Sequence, residues 1–163
     1  MRLIPCSPRR ALICACLSLS LPLPSSAAEN NSVLNVAPPT RVHAKRGQEF
    51  TQPITAELRA GYHVNSNQPA DEYLIPLKLT WVKGPLEAEQ VVYPKPLLEN
   101  YAFSQKPVSV FSGRFEIVTK FKTPPAAQPG MALMNGKLRF QACNEKECLP
   151  PKTVDVQFTV DIQ

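Results

Sequence analysis

The sequence has few residues that could bind a metal ion and lacks an apolar run long enough to cross a membrane. Only two histidines, together with five cysteines, occur in 163 residues. The longest apolar run, Ala11–Leu23, is broken by Pro22 and falls short of the roughly twenty residues that a membrane-spanning helix needs. No long segment has a helical period, and no internal repeat is present. These absences argue against an integral membrane protein, an α-helical protein and a repeat protein.

Residues 1–28 have the pattern of a secretory signal peptide. Three arginines precede the apolar run, and the small residues Ser25–Ala28 follow it. We therefore predict cleavage after Ala28 and export of a mature chain, residues 29–163. A lipoprotein signal at Cys16 is disfavoured because the apolar segment before it is short. A twin-arginine signal at Arg9 and Arg10 is disfavoured because the surrounding residues match poorly.

Removal of this segment changes both the cysteine content and the charge. Three cysteines are lost, which leaves Cys143 and Cys148 as the single pair of the mature chain. Three of the 18 Lys plus Arg are also lost, so 15 remain against 13 Asp plus Glu, a net charge of about +2. The basic precursor therefore gives no argument for nucleic acid binding. An exported protein can keep a disulfide because its compartment is oxidising.

Strand patterns dominate the mature chain. Phe115, Ile117 and Phe121 alternate with polar residues, and a similar alternation runs over Val154–Ile162. Proline is abundant, with 18 in the full sequence, and proline collects at sheet edges and in loops. We predict an all-β protein, a single-domain antiparallel β-sandwich with residues 29–39 partly loose. The predicted strands are Arg41–Ala44, Ile54–Arg59, Ile75–Val82, Gln90–Tyr93, Val108–Phe111, Gly113–Lys122, Lys137–Ala142 and Thr153–Ile162.

The segment RFQACNEKECLPP, Arg139–Pro151, contains the cysteine pair. Metal binding is disfavoured because only His43 and His63 could join the two cysteines, and neither lies at a zinc-finger spacing. A structural disulfide remains open. Closing a loop of about six residues, however, stabilises a protein by only about 2 kcal/mol, against nearly 5 kcal/mol for a loop of about a hundred residues.

A redox-active pair is the other open interpretation. Exchange needs two thiols close enough to form a disulfide and accessible to an attacking sulfur. The net negative charge of Asn144–Glu147 favours the protonated thiol over the thiolate. We therefore expect a disulfide that is attacked by a partner's thiolate rather than a pair that starts the reaction. The residues alone leave the exchange role and the structural role equally open.

The segments FQACNEKECLPP and GYHVNSNQPADEYLIP resemble the amino-terminal domain of the DsbD thiol:disulfide interchange protein family. The resemblance runs from Val42 to Ile162, and the cysteine segment is its most specific part. It implies an immunoglobulin-like β-sandwich in the bacterial periplasm whose Cys143–Cys148 pair exchanges disulfides. No cofactor is implied beyond this redox-active disulfide.

The resemblance also implies partners. In the family, electrons come from a membrane domain through a thioredoxin-like domain and leave to periplasmic disulfide isomerases and cytochrome c maturation proteins. The present sequence ends at Gln163, so we expect a thioredoxin-like protein or a membrane thiol reductase to supply electrons in trans. We expect no nucleic acid partner and no stable membrane insertion.

Four further residues are candidate site residues through the resemblance. A cap loop with an aromatic residue shields the family's cysteines, and Phe103 occupies that position here. Acidic residues flank this aromatic in the better-known form of the domain, whereas Tyr101 and Ala102 precede it in this sequence. His63 and Asn65 lie in a segment that runs beside the family's active site, and we expect them to border the cysteines.

Two hypotheses of different classes result. The first is a periplasmic thiol-disulfide exchange module, a protein-disulfide reductase that accepts electrons from a partner thiol protein and passes them to exported proteins. The resemblance favours Cys148 as the cysteine that forms the mixed disulfide. The alternative is a non-catalytic β-sandwich binding or adaptor module in which the disulfide is structural. The fold alone does not decide between them.

Overall fold

The computed structural model describes residues 32–102 and 104–163, and these residues form twelve β-strands and no helix. The predicted signal peptide, residues 1–28, and the predicted cap residue Phe103 lie outside the described residues. Within the described part, no helix could cross a membrane. The strands are β1 (Leu34–Val36), β2 (Val42–Ala44), β3 (Glu49–Leu58), β4 (His63–Asn65), β5 (Lys78–Trp81), β6 (Glu87–Val92), β7 (Leu97–Glu99), β8 (Val108–Ser112), β9 (Arg114–Lys122), β10 (Gly130–Phe140), β11 (Ala142–Cys143) and β12 (Lys152–Ile162).

The strands form three four-stranded sheets. Their orders are β1-β3-β9-β6, β2-β12-β10-β5 and β11-β4-β8-β7. Neighbouring strands run antiparallel except β2 and β12, which are parallel. This arrangement confirms the predicted all-β, single-domain, immunoglobulin-like antiparallel sandwich.

The alternating patterns of β9 and β12 place their apolar residues in the core. Ile117 and Phe121 of β9 are fully buried, as is Val160 of β12. Thr119 takes an interior position between the two β9 residues, and its hydroxyl accepts a hydrogen bond from the indole Nε1 of Trp81 at 2.9 Å. An unpaired buried hydroxyl would cost about 1–3 kcal/mol, so this bond allows a polar residue in the core.

An aromatic cluster packs between the sheet β1-β3-β9-β6 and the sheet β2-β12-β10-β5. The Trp81 ring on β5 packs edge-on against Phe121 and Phe158, with ring centroids 5.0 and 5.6 Å apart. Gly136 on the neighbouring strand β10 permits this position, because a Cβ there would lie 2.6 Å from Cε3 of Trp81. Any larger residue at this position would displace the tryptophan from the core.

Two features at the start of the domain differ from the sequence prediction. The prediction that residues 29–39 are partly loose is wrong for Leu34–Val36, because these residues form β1 and pair with β3, and Leu34 is buried. Strand β3 begins at Glu49 rather than Ile54 and includes Pro53. Strand β1 pairs with β3 only as far as Ala56, so Pro53 lies where β3 has a paired neighbour on one side.

The cysteine segment leaves one sheet and enters another. The sequence predicts one strand over Lys137–Ala142, whereas β10 ends at Phe140 and β11 is a separate strand. Residues up to Phe140 pair with β12, but Ala142 and Cys143 pair with β4 in the third sheet. This transfer brings the cysteines beside β4 and the loop that follows β7.

Candidate functional site

Cys143 and Cys148 form a disulfide across a short hairpin. Cys143 ends β11, and Cys148 faces it in an isolated antiparallel bridge. The backbone N–H of Asn144 donates to the carbonyl of Glu147 at 2.9 Å. Oδ1 of Asn144 accepts hydrogen bonds from the backbone N–H groups of Lys146 at 2.8 Å and Glu147 at 2.9 Å. Asparagine stabilises tight turns in this way, so hydrogen bonds hold the hairpin in addition to the disulfide.

The base of the hairpin is anchored as well. The backbone N–H of Leu149 donates to the carbonyl of Ala142 at 2.8 Å, and Nε2 of Gln141 donates to the carbonyl of Leu149 at 3.1 Å. Pro150 and Pro151 follow directly, and β12 begins at the next residue. Proline has no backbone N–H, so the ladder cannot continue through these positions. The disulfide is therefore held on a defined frame of backbone hydrogen bonds.

The two sulfur-bearing residues differ in accessibility. Cys143 is 1% exposed, whereas Cys148 belongs to the exposed residues of the hairpin. Thiol-disulfide exchange begins when a thiolate reaches one sulfur of the disulfide, and its rate depends on which sulfur is attacked. Cys148 is therefore the cysteine that a partner can attack, and the buried Cys143 is the leaving group.

His63 lies directly opposite Cys143 in the ladder between β4 and β11. Residues in such a pair project from the same face of the sheet. The imidazole is 4% exposed, and its Nε2 is buried with no hydrogen-bond partner. Burial lowers the pKa of His63 below its ordinary value, and the negative charge of Glu99 partly offsets this shift. The sequence-based prediction places His63 at the border of the cysteines, and the structure places it beside Cys143.

Tyr101 covers His63 from the segment between β7 and β8, whose described residues 100–102 and 104–107 we call the cap loop. The two rings stack with centroids 4.2 Å apart and an interplanar angle of 26°. The Tyr101 hydroxyl donates a hydrogen bond to the carboxylate of Glu99. The pKa of Tyr101 is raised well above its ordinary value, first by burial, then by this hydrogen bond and by the negative charges of Glu99 and Glu145. The hydroxyl therefore stays protonated over the whole physiological pH range and acts as a hydrogen-bond donor.

A cavity of about 190 Å³ joins these groups. Its walls come from β4 and the two residues before it, the end of β7, Tyr101, β8 and Glu145, so it lies between the cap loop and the hairpin that carries the cysteines. Glu145 of the hairpin and Glu99 give it an acidic character. The lining residues are Gly61, Tyr62, His63, Glu99, Tyr101, Ser112 and Glu145.

The side chain of Asn65 contacts the loop that follows β4. It lies on β4, is 1% exposed, and its Nδ2 donates to the carbonyl of Ile75 at 3.0 Å. Leu74, one residue earlier in the same loop, packs with Val108, Val110 and Tyr101. The Asn65 amide thus braces the loop that supports Tyr101.

Glu99 and Glu145 are site residues that the sequence reasoning did not single out. The spacing of Glu99 and Tyr101 contains a signal, because residues two apart on an extended chain project to the same side. Glu145 meets them only through the sheet pairing, which no local pattern shows. Among residues 32–102 and 104–163, no group of three or more His, Cys, Asp or Glu side chains is arranged to bind a metal ion.

A comparison with known protein families finds a match that covers most of the chain. The sequence profile of the family described as thiol:disulfide interchange protein DsbD, N-terminal, matches residues 30–160. The chain belongs to this DsbD amino-terminal family. The match confirms the resemblance based on the cysteine segment and the Gly61–Pro76 segment, and it supports a thiol-disulfide interchange module.

A solved structure of a periplasmic domain has the same fold. The chain is similar to the N-terminal periplasmic domain of ScsB from Proteus mirabilis, with a TM-score of 0.54 and 14% sequence identity. The alignment covers 86% of this chain and 49% of the ScsB chain, so this DsbD-family chain spans about half the length of that relative. A PapD-like domain of human CEP192 aligns with a TM-score of 0.43 at 11% identity, over 90% of this chain and 96% of that one. No curated protein sequence matches the chain.

Proposed function

We propose that this protein is a periplasmic thiol-disulfide exchange module. Its Cys143–Cys148 disulfide accepts two electrons from a partner thiol protein, and the resulting dithiol reduces disulfides of exported proteins. The observation that carries the proposal is the asymmetry of the pair, with an exposed Cys148 bonded to a buried Cys143. A purely structural bridge has no need for one exposed cysteine on a hairpin that hydrogen bonds already hold.

The first half of the reaction reduces the domain. A partner thiolate attacks Sγ of Cys148, a mixed disulfide forms, and the bond to Cys143 breaks. Cys143 leaves with the electron pair and takes up a proton. The second thiolate of the partner then attacks its own sulfur in the mixed disulfide and releases Cys148. The partner ends as a disulfide, and the domain ends as a dithiol.

The second half passes the electrons on. The thiolate of Cys148 attacks an acceptor disulfide, and Cys143 then attacks Sγ of Cys148 and releases the reduced acceptor. The family suggests a thioredoxin-like or membrane thiol reductase as the donor in trans, and periplasmic disulfide isomerases or cytochrome c maturation proteins as acceptors. The periplasmic domain of ScsB supports the proposed location, as does the predicted signal peptide, residues 1–28.

The cap loop completes the proposal. Tyr101 covers the side of the site that carries His63 and the buried Cys143, and Phe103 is proposed to contribute the family's aromatic cap. A docking partner would displace this loop and gain access to the hairpin. Asn65 is proposed to act indirectly by bracing the loop under Tyr101.

Trapping of mixed disulfides tests the proposal. The Cys143→Ala variant keeps the exposed Cys148 and cannot resolve a mixed disulfide, so it should accumulate covalent complexes with periplasmic thiol proteins that dithiothreitol releases. The Cys148→Ala variant is the matched control, because its remaining cysteine is buried. Equal trapping by both variants, or trapping by neither, would contradict the proposed exchange.

A further inference from the structure

Three buried side-chain polar atoms in the described part of the chain lack a hydrogen-bond partner. They are Oε1 of Gln52, Nε2 of His63 and Oγ1 of Thr123. Gln52 lies in β3 and Thr123 directly follows β9, so only the His63 atom belongs to the redox site. An unsatisfied buried group costs about 1–3 kcal/mol and therefore needs a reason.

The position of His63 opposite Cys143 supplies a reason for its unpartnered Nε2. Its Cα pairs with that of Cys143 across the ladder, and directly opposite residues in antiparallel strands have Cβ atoms about 4.5–5.5 Å apart. Both side chains are almost completely buried, and Tyr101 stacks over the imidazole. In the oxidised protein the sulfur of Cys143 carries no proton. In the reduced protein it becomes a thiol, which can hydrogen bond with a neighbouring imidazole.

The chemistry of Cys143 requires a proton acceptor. The thiolate is the nucleophile in disulfide exchange, but burial and nearby carboxylates disfavour a thiolate. Glu145 and Glu147 lie in the hairpin, and Glu99 lies across the cavity. Cys143 therefore starts the second half of the reaction as a protonated thiol in an environment that opposes its ionisation.

We propose that His63 is the general base that takes the proton from Cys143 when the dithiol is oxidised. This inference rests on the proposed exchange function. After Cys148 has formed a mixed disulfide with an acceptor, the proton of the Cys143 thiol passes to Nε2 of His63. The Cys143 thiolate attacks Sγ of Cys148, the mixed disulfide breaks, and the acceptor sulfur leaves with the electron pair. The His63 imidazolium then gives the proton to the released thiolate of the acceptor or to water.

The environment of His63 suits this role. The groups that face it are Tyr101 from the cap loop, Glu99 from β7, and Cys143 and Glu145 from the cysteine segment. Burial keeps the imidazole neutral at pH 7 because it lowers the pKa, and a neutral imidazole can accept a proton. Glu99 stabilises the imidazolium that forms after the transfer.

Oxidation by glutathione disulfide separates the two steps. The reduced full-chain protein is mixed with glutathione disulfide, samples are quenched with acid, and mass spectrometry follows the glutathionylated intermediate and the intramolecular disulfide. Formation of the intermediate reports on Cys148, and its decay reports on Cys143. At pH 7, His63→Phe should slow the decay by about a hundredfold, at the lower end of typical general-base effects, and change the formation less than about twofold.

The pH dependence distinguishes a base from a structural residue. In the unsubstituted protein the decay rate should rise with pH up to the pKa of His63, below its ordinary value, and then level off. In His63→Phe it should rise with pH throughout, so the two proteins should converge at high pH. Measurements from pH 5 to pH 9 cover both sides of the ordinary histidine pKa of about 6.5.

Matched controls complete the experiment. His43→Phe makes the same change at the other histidine, which is exposed on β2 and pairs with Asp161 near the far end of β12, and it should leave both rates unchanged. His63→Gln provides a second variant, and the pH profile of the unsubstituted protein is informative even if neither His63 variant folds. If the unsubstituted protein and His63→Phe have decay rates within twofold of one another at pH 7, the role of His63 is overturned. A pH profile of the unsubstituted protein that does not level off would overturn it as well. If the unsubstituted protein forms no glutathionylated intermediate, the exchange function itself fails.

Discussion

The ring of Tyr101 stacks on the imidazole of His63, with ring centroids 4.2 Å apart. His63 in turn lies opposite Cys143 in the β4–β11 ladder. A single histidine therefore connects the cap loop to the buried member of the disulfide. Changes in the cap loop should consequently alter the environment of Cys143 more than that of the exposed Cys148.

Removal of the Tyr101 ring should make Cys143 more accessible. In the reduced protein, Tyr101→Ala should increase the alkylation rate of Cys143 by roughly threefold or more, because thiol reactivity follows exposure. The rate at Cys148 should stay close to that of the unsubstituted protein. Tyr101→Phe is the matched control, since it keeps the stacked ring and removes the hydroxyl that hydrogen bonds to Glu99. A Cys143 rate that does not change in Tyr101→Ala would show that the ring does not cover this side of the site.

The two cysteines should differ in reactivity without any substitution. Alkylation of the reduced protein with iodoacetamide, followed by peptide mass spectrometry, should label Cys148 about tenfold or more faster than Cys143, because only Cys148 is exposed. Denaturation in urea should equalise the two rates. Equal labelling in the folded protein would contradict the asymmetry on which the proposed reaction depends.

His63 should make the stability of the oxidised protein depend on pH. Unfolding exposes the imidazole to water, where its pKa is about 6.5. Because burial lowers the pKa in the folded state, the unfolded chain binds more protons between the two values. The stability due to neutral His63 is therefore present above about pH 6.5, falls by at most about 1.4 kcal/mol per pH unit, and is lost below the folded pKa.

Urea unfolding at pH 7.5 and pH 5 measures this contribution. The free energy of unfolding should decrease more between these values in the unsubstituted protein than in His63→Phe. The ionised surface pair of Lys120 and Glu49 is common to both proteins and cancels in the comparison. Parallel losses in the two proteins would show that His63 is not held neutral by burial.

Asn144 should affect the redox equilibrium through the hairpin. Its Oδ1 accepts two backbone hydrogen bonds in the turn between the cysteines. Asn144→Ala should loosen the turn in the dithiol, make ring closure less favourable, and shift the reduction potential to a less negative value by up to about 30 mV, equivalent to tenfold in the equilibrium constant. Asn144→Asp keeps an acceptor oxygen and should shift the potential less. A more negative potential in Asn144→Ala would contradict this role.

The long strands of the fold could be predicted because their alternation is strong. Phe115, Ile117 and Phe121 in β9 show which face is buried, and the structure confirms it. Strands β1, β4 and β7 have three residues each, which is too short for a clear period, and the sequence analysis does not predict them. Strand β2 is equally short but lies within the predicted strand Arg41–Ala44. The first half of β10, GMALMNG, has glycines and no β-branched residue, and its strand conformation is imposed by the ladder with β12.

The site could be predicted only in part, because only some of its residues lie in a segment with a local pattern. The cysteine segment has a local signature, so Cys143 and Cys148 can be found from the sequence. The pairing of Cys143 with His63 joins segments about eighty residues apart and depends on the transfer of β11 to the third sheet. Local patterns contain no information on such contacts. The buried, unpartnered Nε2 of His63 is visible only in the structure.

The reduction potential of the Cys143–Cys148 pair tests the proposed function most directly. Equilibration of the purified protein with dithiothreitol or glutathione buffers, with the redox state read by alkylation and mass spectrometry, gives this potential. We expect a value between about −300 and −180 mV, within the range of proteins that exchange disulfides. A value below about −300 mV, typical of structural disulfides in exported proteins, would contradict a role in electron transfer.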